Sequence, residues 1–134
     1  MNGNIDYIRN IPEKFWNFVY ESAGNPLKMR MALERLERED ILDMFRAFQE
    51  AQVELADRLI TSERVKDVSE DTLDELTDSL IIFGKDIYIA LYTGSLDLPP
   101  HEYWRWLPSV ATIFADVFYD RFGVEIYNEA DDLE

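Results

Sequence analysis

A chain of 134 residues fits one domain of ordinary size, and its 47% apolar and 13% aromatic residues supply enough material for a hydrophobic core. A formal charge of −15 argues against binding the phosphates of DNA or RNA, while the absence of cysteine removes disulfides, thiolate catalysis and zinc–thiolate sites and fits a reducing compartment. No apolar stretch approaches the roughly 20 residues of a membrane span, and the opening MNGNIDYIRN has neither the basic start nor the apolar core of a secretory signal, so the expectation is a cytoplasmic protein with no membrane contact.

A first helix is expected to open at Pro12, carry Phe15, Trp16, Phe18 and Val19, and stop at Gly24-Asn25-Pro26. Asn25 and Pro26 then cap and begin a second helix with an apolar stripe at Met29, Ala32, Leu33 and Leu36. The following stripe, Ile41, Met44, Phe45, Phe48, Ala51, Leu55 and Leu59, is out of phase with it by roughly 100° at 3.6 residues per turn. One straight helix would leave one stripe in water, so a break is expected between Glu37 and Asp40 without Gly or Pro.

After a charged connection from Thr61 to Val68, Ser69 or Asp71 is the expected N-cap of a fourth helix. Its apolar face holds Leu73, Leu76, Leu80, Phe83 and Ile87, and past Leu80 it gains Ile81, Ile82, Tyr88 and Ile89, which makes its second half apolar almost all round. Such a helix is normally central and buried. Gly84 within it costs roughly 1 kcal/mol relative to Ala, which suggests a close approach by another group; Gly94 ends it. A short aromatic segment from His101 to Leu107 precedes a last helix from about Pro108 to Phe122, with Val110, Phe114, Val117 and Phe118 inward and Gly123 as its end. Ile126 and Tyr127 are expected to pack before the tail dissolves into Glu129, Asp131, Asp132 and Glu134. The whole is an all-α fold, a single compact bundle of about five helices around the one containing Leu80 to Leu91, with flexible ends at 1–10 and 128–134.

The acid is unevenly placed. Residues 1–66 carry 12 Asp/Glu against 10 Lys/Arg, whereas residues 67–134 carry 16 against 3, so the two segments contribute −2 and −13. Glu70, Asp71, Asp74, Glu75 and Asp78 fall on one side of the fourth helix, near an N-terminus whose dipole favours them. Such a face suits either solvent or a basic protein. It lacks the alternating oxygen ligands and turn glycine of a calcium loop, and the chain has no paired Glu-x-x-His motif of a di-iron bundle, so neither metal nor cofactor is expected.

No catalytic motif stands out. His101, the only histidine, has no Gly-x-Ser-x-Gly elbow to serve and reads as a helix-start or surface residue. Gly84-Lys85 lacks the upstream glycine and following Ser/Thr of a phosphate loop. An enzyme would need a carboxylate with its pKa raised by burial, for which Asp86 and Asp116 are the candidates. Trp104 and Trp106 lie two positions apart, so on a helix they face different ways and one of them belongs at an edge or interface, where Trp is a common anchor.

Phe15-Trp16 with Phe18 and Val19, Leu33-x-x-Leu36, Ile41-x-x-x-Phe45-x-x-Phe48, the run Leu80-Ile81-Ile82-Phe83-Gly84-Lys85-Asp86-Ile87-Tyr88-x-x-Leu91, and Val110-Ala111 through Phe118-Tyr119-x-x-x-Gly123 together resemble a family of small bacterial helical proteins known as a domain of unknown function. The resemblance runs from about Lys14 to Tyr127 and implies the fold and a bacterial origin. The family's Gly-x-Ser-Asp-Asp-x-Phe stretch is replaced here by Ser69 to Leu76, and the Trp of its Trp-Leu-Ile signature is Ser79. The family supplies no catalytic residues to transfer, and small acidic proteins of this kind are similar in character to immunity proteins, which neutralise toxins made by the same cell.

The expected function is therefore not enzymatic. It is a protein-binding module, an immunity-type inhibitor of a cognate protein toxin or another basic protein, with Glu70, Asp71, Asp74, Glu75 and Asp78 supplying charge and Trp104 and Trp106 anchoring. The alternative is a self-contained or homodimeric housekeeping domain that buries Ile82 and Ile89 against a second copy.

Overall fold

A computed structural model of the chain describes residues 11–131; the expected flexible end at 1–10 and the last three residues lie outside it. The described residues are all helical, in seven α-helices and two short 3-10 helices rather than about five helices. In chain order these are α1 (Glu13–Ser22), α2 (Pro26–Glu34), α3 (Arg38–Thr61), α4 (Glu70–Leu80), a 3-10 turn (Ile81–Phe83), α5 (Lys85–Thr93), a 3-10 helix (His101–Trp106), α6 (Val110–Phe122) and α7 (Ile126–Asp131).

Local signals set several of the boundaries. The Asn25 side chain accepts hydrogen bonds from the Leu27 and Lys28 N–H groups (2.9 and 3.2 Å) ahead of Pro26, and Ser69 and Ser109 cap α4 and α6 through the Thr72 and Thr112 N–H groups. Gly94 and Gly123 end α5 and α6 in the left-handed conformation. The break between α2 and α3 falls where the two stripes change phase. It needs no glycine because the Arg121 guanidinium, arriving from α6, donates to the carbonyls of Leu33 (3.0 Å), which also accepts from the Leu36 N–H, and of Leu36 (2.6 Å), just past the end of α2.

The central element is α3, not the segment from Leu80 to Leu91. This 24-residue helix packs against α1, α4, the first 3-10 turn, α5, α6 and α7. Its Phe45 and Phe48 meet Phe114 of α6 at 5.4 and 5.9 Å between ring centroids, and Phe18 of α1 meets the same ring at 6.0 Å. Each such ring, fully buried, stabilises the fold by about 1.5–3 kcal/mol before the entropy of ordering it is counted. On the other side Tyr88 of α5 lies against Trp16 (5.1 Å) and donates its hydroxyl to the Ala51 carbonyl of α3 at 2.9 Å.

The expected continuous helix from Ser69 to Gly94 is broken at Gly84. There φ is 99° and ψ is 176°, a backbone region essentially restricted to glycine, so the chain turns between α4 and α5. Nothing lies within 4 Å of where a Cβ would sit, so Gly84 is required by conformation and not by a close neighbour. The break also changes which residues face inward. Phe83 is 45% exposed, while Ile81, Ile82, Tyr88, Leu91 and Tyr92 are buried. Ile82, at 1% exposure, is used inside the chain and is not free to cover a second copy. The tail also differs from expectation: α7 continues through Glu129, which pairs with Arg38, and Ala130, which is buried. Tyr127 is half-exposed, its ring edge-on to Phe45 at 5.2 Å.

Candidate protein-binding cleft

The α4 helix presents two chemically different faces. Leu73, Leu76, Thr77 and Leu80 are buried, while Glu70, Asp71, Asp74 and Glu75 are exposed. Glu70 and Asp71 occupy the first turn, where the unpaired N–H groups and the dipole favour negative charge. The helix is tied to α3 through Gln52, whose amide donates to the Asp74 carbonyl at 2.8 Å.

Asp78 does not belong to this face. It is 6% exposed and accepts from the Ser109 hydroxyl (2.7 Å) and the Ala111 N–H (3.0 Å), so it holds the first turn of α6 from α4. Burial pushes its pKa up. The hydrogen bonds from Ser109, Ala111 and Val110 pull it back down, and the nearby Glu75 carboxylate pushes it up again. The shift is net upward, so desolvation outweighs the hydrogen bonds. The physical reason for the misplacement is that α4 is buried nearly all round from Leu76 onward, so the polar stripe ends before Asp78.

Because Asp78 fixes Ser109 and Ala111, the segment before them runs alongside α4. Pro100, at φ −55° and ψ 140°, leads into the 3-10 helix His101–Trp106. The Trp104 indole N–H donates to the Pro99 carbonyl at 2.7 Å, and the His101 ring meets the indole nearly perpendicular at 4.5 Å. Trp104 is half-buried against the core, whereas Trp106 is 71% exposed with the Arg105 guanidinium over its ring at 4.9 Å. The two tryptophans are thus divided between an edge and solvent, as their spacing requires.

Between α4 and this 3-10 helix lies an open cleft of about 440 Å³, lined by Thr72, Glu75, Leu76, His101, Glu102, Trp104 and Arg105. It brings together Glu75 and Trp104 from the sequence-derived set. Glu70, Asp71 and Asp74 lie on the same helix outside the lining, Trp106 lies beyond it in solvent, and Asp78 is behind it. Sequence reasoning missed Glu102 as a cleft residue and His101 as a wall. The available signal was their position directly after Pro99-Pro100, which fixes where the segment turns. A second depression of about 310 Å³ shares His101 and Trp104 with the cleft and has Arg64, Lys66 and Asp67 in its lining.

Asp86 and Asp116 are both exposed, so neither is the buried carboxylate that an acid–base site would require. Among the described residues no group of three or more His, Asp or Glu is placed to hold a metal ion, and no helix is long and apolar enough to cross a membrane. No protein-family model, curated protein or solved structure matches the chain.

Proposed function

We propose that this protein is a protein-binding module that engages a basic partner through α4 and the adjoining aromatic 3-10 helix, in the manner of an immunity-type inhibitor occluding a toxin. The observation that carries the reading is the placement of four exposed carboxylates, Glu70, Asp71, Asp74 and Glu75, beside a cleft and an exposed tryptophan on a neighbouring element. None of the four is in an ion pair with another described residue, in contrast to Glu13, Asp43, Asp120 and Glu129, which pair with Lys85, Lys14 and Arg46, Arg30 and Arg38. Unpaired surface carboxylates steer a cationic partner and set its association rate, and an exposed aromatic beside them supplies the anchor.

Membership of the bacterial helical family belongs to the same proposal. Most residues that carry that resemblance, among them Phe15, Trp16, Leu80, Ile81, Ile82, Tyr88 and Leu91, are buried, while Phe83, Asp86 and Tyr119 are exposed, so the signature chiefly reports the fold and leaves the partner to the divergent Ser69 to Leu76 stretch. The test is affinity capture from the native lysate, with a salt wash and mass spectrometry. A stoichiometric basic protein that elutes with salt and is lost on Glu70→Lys/Asp71→Lys/Asp74→Lys supports the reading; retention by the folded triple variant refutes it.

A further inference from the structure

We infer that the cleft between α4 and the 3-10 helix is a receptor for one arginine side chain of the partner, an assignment that rests on the proposed binding function and names the chemistry its centre recognises. The walls carry the argument. Glu75 projects from α4 and Glu102 from the 3-10 helix, so two carboxylates reach one cleft from separate elements, and neither is ion-paired with another described residue. The cation in the lining, Arg105, has its guanidinium over the Trp106 ring at 4.9 Å and forms no ion pair with either of them. With two carboxylates against one guanidinium, the lining of the cleft carries a net charge of −1, and neither carboxylate is in an ion pair with another described residue.

The aromatic wall points to the same ligand. The Trp104 N–H is already committed to the Pro99 carbonyl at 2.7 Å, so the indole offers an entering group its π surface and no donor. A π surface beside two carboxylates suits a cation. A planar guanidinium stacks on the ring and donates two parallel hydrogen bonds to a carboxylate, whereas an ammonium does the second as a point charge and the first poorly. The volume, about 440 Å³, falls within the roughly 300–1,000 Å³ of ligand sites and leaves room for a long side chain. Charge also selects between the two depressions that share His101 and Trp104, because the lining of the other sets Arg64 and Lys66 against Asp67 alone and is net positive.

The test uses the full chain, nitrogen-15 labelled, titrated at low salt with a hexa-arginine and a hexalysine peptide while the indole N–H signals of the three tryptophans are followed. The expected result is a shift of the Trp104 signal that saturates, an affinity for hexa-arginine about tenfold above hexalysine, and a loss of about tenfold for Glu75→Gln/Glu102→Gln against two- to threefold for Glu70→Gln/Asp71→Asn. Both double variants replace exposed carboxylates by their isosteres, and their unchanged amide spectra establish that they fold. Equal affinity for the two peptides, with equal losses in the two variants, overturns the arginine receptor and leaves the acidic-face reading standing. No binding of either peptide overturns both.

Discussion

Asp78 offers the sharpest test of how the site is held in place, because its charge and its hydrogen bonds act in opposite directions. Its carboxylate accepts from Ser109 Oγ at 2.7 Å and from the Ala111 N–H at 3.0 Å. Removing both acceptors in Asp78→Ala leaves a first-turn N–H of α6 and the Ser109 hydroxyl without this partner, at about 1–3 kcal/mol for each group left unsatisfied, partly offset by the desolvation no longer incurred. A net loss of about 2 kcal/mol is expected. Asp78→Asn keeps an acceptor for Ala111 and supplies an amide donor to Ser109, while removing a charge whose burial raises its pKa. That variant is expected within about 0.5 kcal/mol of the parent at neutral pH, or above it. The pH dependence follows from the sign of the shift. With the folded pKa above the unfolded one, the folded protein holds more protons between the two values, so stability attributable to Asp78 grows as pH falls through the folded value and is complete below the unfolded one. The parent should therefore gain on Asp78→Asn as pH is lowered through the carboxylate range. Urea unfolding at several pH values, at constant m, measures all three proteins. An Asn variant as unstable as the Ala variant at neutral pH refutes the argument, because it would make the charge itself the stabilising element.

Gly84→Ala should cost about 1–3 kcal/mol with no steric clash, and more than Gly123→Ala, whose φ of 74° lies in the left-handed region that alanine tolerates better; equal losses in urea midpoints would contradict the backbone account. Arg121→Met keeps a stem to pack beside Phe122 but removes both donors to the end of α2, with an expected loss of about 1–2 kcal/mol and faster amide exchange confined first to the C-terminal turn of α2. Tyr88→Phe removes the hydroxyl bond to Ala51 and should cost about 0.5–1.5 kcal/mol; a stabilised variant in thermal unfolding would show that the buried hydroxyl is a net burden.

What the sequence made legible is what it encodes locally. Asn25-Pro26, Gly94 and Gly123 announce helix boundaries through their own backbone preferences, and the phase change between Leu36 and Ile41 exposes a break that has no glycine. The inward set of α6, Val110, Phe114, Val117 and Phe118, follows from periodicity alone and is buried throughout. The failures are non-local. Asp78 shares helical spacing with Asp71, Asp74 and Glu75, and only Ser109, 31 residues later, shows that it faces inward. The Arg121 cap on α2 spans 85 residues or more, and Gly84 reads as a tolerated helical glycine until its φ is known. For the site, the split between Trp104 and Trp106 was readable from spacing, but the meeting of Glu75 with Glu102 across a cleft was not, because it depends on where Asp78 pins the chain.

The uneven distribution of acid takes on a physical meaning once the cations are located. Lys14, Arg30, Arg38, Arg46 and Lys85 lie in ion pairs, Arg121 covers the end of α2, and Arg58 and Arg64 both donate to the Tyr92 carbonyl at the end of α5. Most of the described cations thus tie one segment to another, and the α4 carboxylates are left without ion pairs among the described residues. Salt must then act with opposite signs on folding and on binding. Screening the self-repulsion of a chain of charge −15 stabilises the fold, so the midpoint of thermal unfolding should rise by a few degrees from about 20 mM to 300 mM sodium chloride. Over the same interval association with a basic partner should slow by about tenfold or more, because the steering field shortens with the Debye length. Thermal scans and stopped-flow association on one preparation measure both. A fold that loses stability with salt would mean that the surface ion pairs outweigh the repulsion, and uncompensated acid would then not be what limits stability.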